Sequence, residues 1–283
     1  MSSYILTFSC DNRPGIVAAI TSTLVQLGCD ITDGQQFDDR LSGRFFARMQ
    51  FTPVRHDIGE DGFASGMTPV LASFDATWSL REEGHRRRVL ILTSRTDHCL
   101  VDLLYRWRVG EMPMDLVAVA SNHPAEQISD VGEVPFLHLP VTPQSKAQQE
   151  GQILEFVREN DIDLVVLARY MQILSADLAG ELAGRCINIH HSFLPGFKGA
   201  KPYHQAYERG VKLIGATAHY VTADLDEGPI IAQDVEPVSH RDSPQDLVRK
   251  GRDIERRVLA GAVLAHLEDR VMLRGATTVV FQR

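Results

Sequence analysis

The sequence lacks the features of a membrane protein, a disulfide-rich secreted protein and a nucleic-acid-binding protein. No apolar run approaches the roughly 20 residues of a membrane span, and no basic region followed by an apolar stretch marks a secretory signal. Its four cysteines form no Cys-x-x-Cys pair and no zinc-like spacing. Acidic residues outnumber basic residues by 37 to 29, whereas phosphate binding requires a basic surface. We therefore predict a cytoplasmic protein with reduced thiols and with neither a membrane nor a nucleic-acid partner.

The remaining composition is that of an ordinary globular protein. Hydrophobic residues make up 44% of the chain and charged residues 23%. A length of 283 residues predicts one large domain or two ordinary ones.

Residues 1–82 predict a ferredoxin-like βαββαβ domain. An apolar face at helical spacing, from Ile16 to Leu24, predicts a helix that ends at Gly28. Strands are predicted at residues 4–8, 29–32, 44–51 and 76–80, with a second helix between residue 66 and the last strand. The charged stretch 83–88 is predicted to be a solvated linker.

Residues 89–283 predict an α/β domain with a doubly wound, mostly parallel sheet, because strands and helices alternate along the chain. Strands are predicted at 89–93, 116–120, 164–168, 186–190, 214–221 and 229–235. Helices are predicted at 98–108, 146–160 and 246–268, before a terminal strand or hairpin at 270–281. Such sheets bind ligands at the carboxyl ends of their strands.

Two polar side chains close the strand predicted at 186–190. Asn188 and His190 are two residues apart, so a strand directs both to one face of the sheet. The Pro195-Gly196 break then lets the chain leave the sheet. Asp226 lies in a second turn-rich loop, with Asp224 as a rival carboxylate. An amide, an imidazole and a carboxylate can together move an acyl group without a metal or a covalent nucleophile.

Several ordered segments resemble the formyltransferase superfamily. These segments are NIHHSFLP (188–195), KPYHQA (201–206), GATAHYV (215–221) and DEGPII (226–231). The segment DNRPG (11–15) and the βαββαβ order resemble an ACT domain. Within the superfamily, the formyltetrahydrofolate deformylase family carries both parts. The resemblance covers nearly the whole chain.

The resemblance implies hydrolysis of 10-formyltetrahydrofolate to formate and tetrahydrofolate. This reaction would supply formate for purine synthesis and balance the one-carbon folate pool. Asn188, His190 and Asp226 match the catalytic residues of the family, and His219 is a candidate for a position behind them. The folate is the substrate, so we expect no cofactor, and the sequence shows no metal-ligand cluster.

The resemblance also implies binding sites for the folate and for an effector. The folate-binding segment matches Tyr170, Met171, Gln172, Ile173 and Leu174. Some relatives have arginine where Gln172 stands, so any contact to the acidic tail of the folate is weaker here or comes from elsewhere. Candidates to attract that tail are Arg169, Lys198 and Lys201. ACT domains commonly pair across subunits and bind amino acids, which predicts a homo-oligomer and an effector such as glycine or methionine near Asp11, Asn12 and Gly15.

Two other functions stay open at this point. One is formyl transfer to a phosphorylated amine, and the other is a non-catalytic folate or amino-acid sensor. Transformylases cradle the acceptor phosphate in a loop rich in glycine and asparagine after their first strand, whereas residues 93–99 contain no glycine. Asp97 would repel phosphate, although Arg95 would attract it. The loop favours water as the acceptor, and the intact Asn188, His190 and Asp226 set weighs against a sensor.

Overall fold

The computed structural model describes residues 2–54, 59–194 and 202–283, without the side chain of Pro202. The predicted Pro195-Gly196 break and the candidates Lys198 and Lys201 lie outside the described residues. Contacts divide the chain into two units. The first comprises Met1–Arg86, Glu268–Met272 and Val279–Arg283, and the second comprises Arg87–Leu267 and Leu273–Thr278.

The first unit has the predicted ferredoxin-like βαββαβ order. Its elements are β1 (Tyr4–Asp11), α1 (Ile16–Gln26), β2 (Cys29–Asp39), β3 (Arg44–Pro53), α2 (Gly59–Ser73) and β4 (Thr77–Glu82). The strands form an antiparallel sheet in the order β2-β3-β1-β4. Alternate residues of β1, such as Leu6 and Phe8, pack in one core with Ile20 of α1 and Met67 of α2. The period-two pattern of β1 and the helical pattern of α1 therefore serve the same core.

Several elements of the first unit are longer than predicted, and the differences are largest for β2 and α2. β2 continues to Asp39 because it pairs with β3 along its full length, from Cys29 opposite Pro53 to Asp39 opposite Arg44. The sequence did not predict this extension because the residues after Thr32 are mostly polar, whereas the backbone hydrogen bonds of a strand do not require apolar side chains. The helix α2 begins at Gly59, seven residues before the predicted start.

The second unit is built on a seven-stranded sheet. Its strands are β5 (Arg87–Thr93), β6 (Met114–Ser121), β7 (Phe136–His138), β8 (Leu164–Ala168), β9 (Cys186–His190), β10 (Leu213–Tyr220) and β11 (Ile230–Pro237). Its helices are α3 (His98–Arg108), α4 (Lys146–Glu159), α5 (Ala176–Glu181), α6 (Pro202–Glu208) and α7 (Pro244–Leu267), with a 3-10 turn at Ala125–Gln127. A terminal hairpin of β12 (Val271–Arg274) and β13 (Thr277–Val280) follows.

The sheet confirms the predicted doubly wound, mostly parallel architecture. The strand order is β11-β10-β9-β8-β5-β6-β7, and the five strands from β9 to β7 run parallel. The strand β10 runs antiparallel to both β9 and β11. The carboxyl ends of β8 and β9 therefore meet at one edge of the sheet, where ligands are expected.

The predicted linker at 83–88 is wrong at its end, because β5 begins at Arg87. The Arg88 guanidinium lies 2.9 Å from an oxygen of Asp115 and donates to the carbonyl of Asn160 at 2.7 Å. The backbone N–H of Arg88 donates to Asp163 at 2.7 Å. The partners of Arg88 are therefore distant in sequence, and the run of charged residues alone could not predict them.

Short elements of the second unit were missed. The strand β7 has three residues, α5 has six and α6 has seven, which is too few for a periodic pattern. A local signal exists for α5, since the Ser175 hydroxyl accepts a hydrogen bond from the Leu178 N–H and caps the helix.

All four cysteines are buried free thiols, as predicted. Burial raises the pKa of Cys29 to about 11 and that of Cys99 well above its usual range, which makes both unreactive. Among the described residues, none of the helices combines the length and the apolar character needed to cross a membrane.

Candidate active site

The strand pair β9–β10 positions the predicted amide and imidazole. Asn188 and His190 close β9, and the antiparallel register places His219 of β10 directly opposite Asn188. Directly opposed residues of an antiparallel pair project from the same face of the sheet. The structure therefore brings Asn188, His190 and His219 together.

Asp226 completes the group from the loop between β10 and β11. One of its oxygens lies 3.1 Å from Nδ1 of His190 and 3.8 Å from Nε2 of His219. Its backbone has a φ of 58°, a left-handed conformation that aspartate adopts more readily than most residues. A Cβ atom at Gly228 would lie 1.8 Å from the carbonyl oxygen of Tyr220, so only glycine lets this loop approach β10 so closely.

The charges of the group follow from its burial and its hydrogen bonds. Burial raises the pKa of Asp226. The hydrogen bond from His190 and the charges of the nearby imidazoles together lower it by more, so the pKa of Asp226 lies below its usual range. Burial lowers the pKa of His219, which therefore stays neutral near pH 7. Asp226 is therefore ionised, and it accepts a hydrogen bond from the Nδ1–H group of His190.

The tautomer of His219 orients the Asn188 amide. Nδ1 of His219 lies 2.9 Å from the carbonyl oxygen of Tyr220, which can only accept, so Nδ1 carries the proton. Nε2 of the neutral ring then accepts from the Asn188 amide nitrogen at 3.3 Å. The second N–H of that amide stays available for a ligand. His190 likewise has a buried Nε2 atom without a hydrogen-bond partner in the described structure.

These groups line a cleft of about 620 Å³ with the predicted folate-binding segment 170–174. Met171 and Ile173 expose 54% and 59% of their surface, whereas Tyr170 is buried and bonded to Gln149. The Met171 N–H donates to the Ser94 hydroxyl at 3.1 Å, which fixes the start of the segment. The rest of the segment, Gln172 and Leu174, also lines the cleft, as does Asp224. An apolar wall beside a few polar groups is typical of a site for an organic ligand.

The loop after β5 carries no phosphate cradle in its described contacts. Arg95 donates to the Gln127 side chain at 3.1 Å, and Asp97 accepts from the Ser129 N–H at 2.8 Å. Both charged side chains of this loop therefore bond within the protein.

A second polar cluster at the cleft was missed by sequence reasoning. Glu255 of α7 is 1% exposed and accepts hydrogen bonds from His98 Nε2 at 2.9 Å and from the Tyr203 hydroxyl at 2.6 Å. Burial raises the pKa of Glu255, but its hydrogen bonds and the charge of Arg169 lower it below the usual range. Gly251 leaves room for the Tyr203 ring, which a Cβ atom would approach to 2.1 Å. The sequence signal that could have indicated this cluster is an acidic residue on the apolar face of α7.

Arg169, a candidate to attract the folate tail, belongs to this cluster instead. Its Nε lies 3.3 Å from Glu255, and its Nη1 donates to His191 Nδ1 at 2.6 Å. The side chain is 14% exposed. A guanidinium that is mostly buried and already has two partners is poorly placed to capture an exposed carboxylate.

The same cluster contains a group of metal-ligand type, formed by His98, Cys99 and Glu255 with ligand atoms within 4.8 Å of one another. Both oxygens of Glu255 already have donors, and the Arg169 cation lies beside them. Burial raises the pKa of Cys99 and opposes the thiolate that a metal requires. The group fits a polar network better than a metal site.

The predicted effector residues lie at the end of β1 and in the loop between β1 and α1 of the first unit. Asp11 pairs with Arg44 at 3.0 Å, and the Asn12 amide donates to Asp38 at 2.7 Å. Gly15 precedes α1 with a φ of 93°, a conformation that favours glycine.

Family models match both units. The Formyl transferase family matches residues 87–263, and the ACT domain family matches residues 4–61. The parallel sheet with this cleft at its carboxyl edge thus defines a protein of the formyl transferase class that also carries an ACT domain.

Similar proteins cover the whole chain. A formyltetrahydrofolate deformylase of Corynebacterium sp. (strain P-1) is 49% identical over 280 residues, which are 99% of this chain and 98% of the relative. The crystal structure of a formyltetrahydrofolate deformylase from Burkholderia mallei is 49% identical and has a TM-score of 0.94, with 100% of both chains covered. One from Pseudomonas syringae pv. tomato is 46% identical and has a TM-score of 0.96, with 100% of this chain and 95% of that chain covered. This chain belongs to the formyltetrahydrofolate deformylase family, and it is therefore a hydrolase.

Proposed function

We propose that the cleft hydrolyses 10-formyltetrahydrofolate to formate and tetrahydrofolate. The observation that carries this proposal is the buried, unpartnered Nε2 of His190, which lies beside the Asn188 amide while Nδ1 of the same ring pairs with ionised Asp226. Two donors and a carboxylate around one cleft suit a reaction in which a carbonyl oxygen gains negative charge.

In the proposed mechanism, water attacks the formyl carbon and Asp226 takes its proton. The formyl C=O becomes an oxyanion, which accepts hydrogen bonds from Asn188 and from protonated His190. Each such donor is typically worth about 3 kcal/mol in the transition state. The C–N10 bond then breaks, and N10 leaves with the Nε2 proton of His190. The Asp226–His190 pair ends with the number of protons with which it began.

The folate is proposed to lie against the segment 170–174. The exposed side chains of Met171 and Ile173 give its ring system an apolar wall close to the catalytic groups. Neither Gln172, which is uncharged, nor Arg169, which is paired within the protein, supports a strong ion pair to the acidic tail.

Water is the proposed acceptor of the formyl group. Arg95 and Asp97 of the loop after β5 bond to Gln127 and Ser129, so neither supports a phosphate cradle. The test is to incubate the purified protein with 10-formyltetrahydrofolate alone and to measure formate. We expect catalytic formate release that added amines leave unchanged. Release that requires an amine would replace this proposal with formyl transfer.

We further propose that glycine or methionine regulates the enzyme through the ACT domain. The match at residues 4–61 and the left-handed Gly15 at the start of α1 support a ligand loop at Asp11, Asn12 and Gly15. Because ACT domains commonly pair, we propose a homo-oligomer. Titration of each amino acid against the hydrolysis rate tests the regulation, and an unchanged rate at millimolar levels of both contradicts it.

The proposed metabolic role is to supply formate for purine synthesis and to balance the folate pool in the cytoplasm. Growth of a deletion strain with and without added formate and purines tests this role. We expect purine dependence that formate relieves.

A further inference from the structure

We propose that Arg169 is a positioning residue that holds His191 as a neutral ring against His190. The positive charge of this histidine pair then lies on His190, the ring that faces Asp226. This inference rests on the proposed function, since it concerns the proton donor of the same reaction. It gives a role to a cluster that the mechanism above does not use.

The first observation is the backbone of Arg169. This residue directly follows β8 and has a φ of 64°, a left-handed conformation that is strained for a side chain of this kind. Such strain persists only where the surroundings fix the residue, and it is found preferentially at functional sites. A glycine would adopt this backbone more easily, so an arginine at this position points to a function of the guanidinium.

The second observation is the hydrogen bond between Arg169 and His191. A guanidinium can only donate, so Nδ1 of His191, 2.6 Å from Nη1 of Arg169, must accept through its lone pair. The proton of His191 therefore lies on Nε2, and the ring is neutral. Protonation of Nδ1 would place two donors against each other and two positive charges side by side.

The third observation is the stack of His191 on His190. The ring centroids are 5.0 Å apart, and the planes differ by 16°. Two imidazolium ions at this distance repel each other, so a second charge on His191 would oppose protonation of His190. Among the described residues, the charged and titratable groups that face the stacked pair include Arg169 from the end of β8, Tyr203 from α6, Glu255 from α7, His219 from β10 and Asp226 from the loop after β10.

The Arg169 side chain is held from its other side by Glu255. This carboxylate is buried on α7 and accepts from His98 and Tyr203, so its position is fixed from three directions. The chain Glu255–Arg169–His191 thus connects a rigid helix to the ring beside His190. It acts on the catalytic imidazole through His191 and touches no reacting atom.

The test begins with Arg169→Gly, which removes the guanidinium and suits the left-handed backbone. We expect kcat to fall between about tenfold and a hundredfold while KM for the folate changes little. The acidic side of the kcat profile should move to higher pH, because His191 can then take a proton. Ring ¹⁵N NMR of the whole protein should show the neutral Nε2–H form of His191 in the native enzyme and its loss in the variant.

A double-mutant cycle separates this role from a merely structural one. His191→Phe keeps a ring in the stack but cannot take a proton, so Arg169→Gly should cost less than about threefold in the His191→Phe background. An equal loss in both backgrounds would overturn the proposal, as would a charged His191 in the native enzyme at pH 7. Arg158→Ala, which removes an exposed arginine paired with Glu181, is the matched control and should leave kcat unchanged.

The NMR readout keeps the failure of this inference distinct from the failure of the proposed function. The tautomer of His191 is measured without substrate, so it is informative even if the enzyme proves to transfer its formyl group to an amine. Conversely, formate release by the native enzyme with a charged His191 would retain the hydrolysis and reject the positioning role of Arg169.

Discussion

Two histidine–carboxylate pairs border the same cleft, yet only one of them is chemically open. His190 lies 3.1 Å from Asp226, and His98 lies 2.9 Å from Glu255. Both oxygens of Glu255 are occupied by donors and the residue is almost fully buried, whereas the Asp226 side chain is 13% exposed. Nε2 of His190 is without a partner in the described structure.

The difference teaches that distance alone does not identify a catalytic pair. What matters is whether hydrogen-bonding capacity remains after the fold is complete. The pair of His190 on β9 and Asp226 in the loop after β10 retains a donor and a carboxylate beside the cleft, so it can act on a ligand. In the pair of His98 on α3 and Glu255 on α7, both carboxylate oxygens already accept hydrogen bonds from the protein. This pair therefore holds the neighbouring groups in place.

The largest expected effect comes from removing the charge of the open pair. Asp226→Asn should lower kcat about a thousandfold, because the water then has no base and the imidazolium has no counter-charge. Binding of the folate should survive, since the apolar wall is intact. Stopped-flow binding and formate assays measure the two effects separately. If Asp224→Asn rather than Asp226→Asn abolished turnover, the carboxylate would be misassigned.

The next effect comes from the oxyanion donor. Asn188→Ala should lower kcat about a hundredfold, or about 3 kcal/mol, because one hydrogen bond to the developing charge is lost. The measurement is kcat and KM for formate release. Asn160→Ala, at the end of α4, is the matched control. A loss that falls on KM alone would show that Asn188 binds the substrate and does not stabilise the transition state.

A change in the pair of His98 and Glu255 should affect the stability of the protein. Glu255→Gln should lower the free energy of unfolding by about 2 kcal/mol, because a neutral amide cannot accept from both His98 and Tyr203 with its single oxygen and also loses the ion pair with Arg169. Urea unfolding measures this change. The exposed ion pair of Glu181 and Arg158 provides the control, since Glu181→Gln should cost less than about 0.5 kcal/mol. Equal losses in the two variants would remove the distinction between the pairs.

The smallest expected effect is a change in how steeply the free energy of unfolding depends on pH. The pKa of His219 is lowered in the folded protein, so below pH 6.5 the unfolded chain binds a proton that the folded chain refuses. Stability from this source is present at higher pH and is lost as the pH falls below 6.5. His219→Gln should therefore show a shallower loss of unfolding free energy between pH 6.5 and 5. Parallel curves for the two proteins would contradict a buried neutral His219.

Much of the catalytic unit could be predicted because its signals are local. The bounds of α3, β8 and β9 agree with the prediction, since apolar runs and helical spacing lie within single segments. The proximity of Asn188, His190 and Asp226 was predicted from two-residue spacing and the family pattern. Their catalytic roles stay a prediction.

The second cluster could not be predicted because it exists only through tertiary contacts. Arg169, Glu255 and Tyr203 are far apart in sequence, and each has an ordinary local pattern. The same reason explains the error at Arg88, whose partners Asp115 and Asp163 lie on other segments. A single sequence shows which charges are present but not which of them are already paired.

The most direct measurement of the account is the origin of the formate oxygen. The protein is incubated with 10-formyltetrahydrofolate in ¹⁸O-labelled water without any amine, and the formate is examined by mass spectrometry. Attack by water at the cleft predicts one ¹⁸O atom in each formate and loss of the product in Asp226→Asn. Absence of formate, or formate without the label, would contradict hydrolysis at this site.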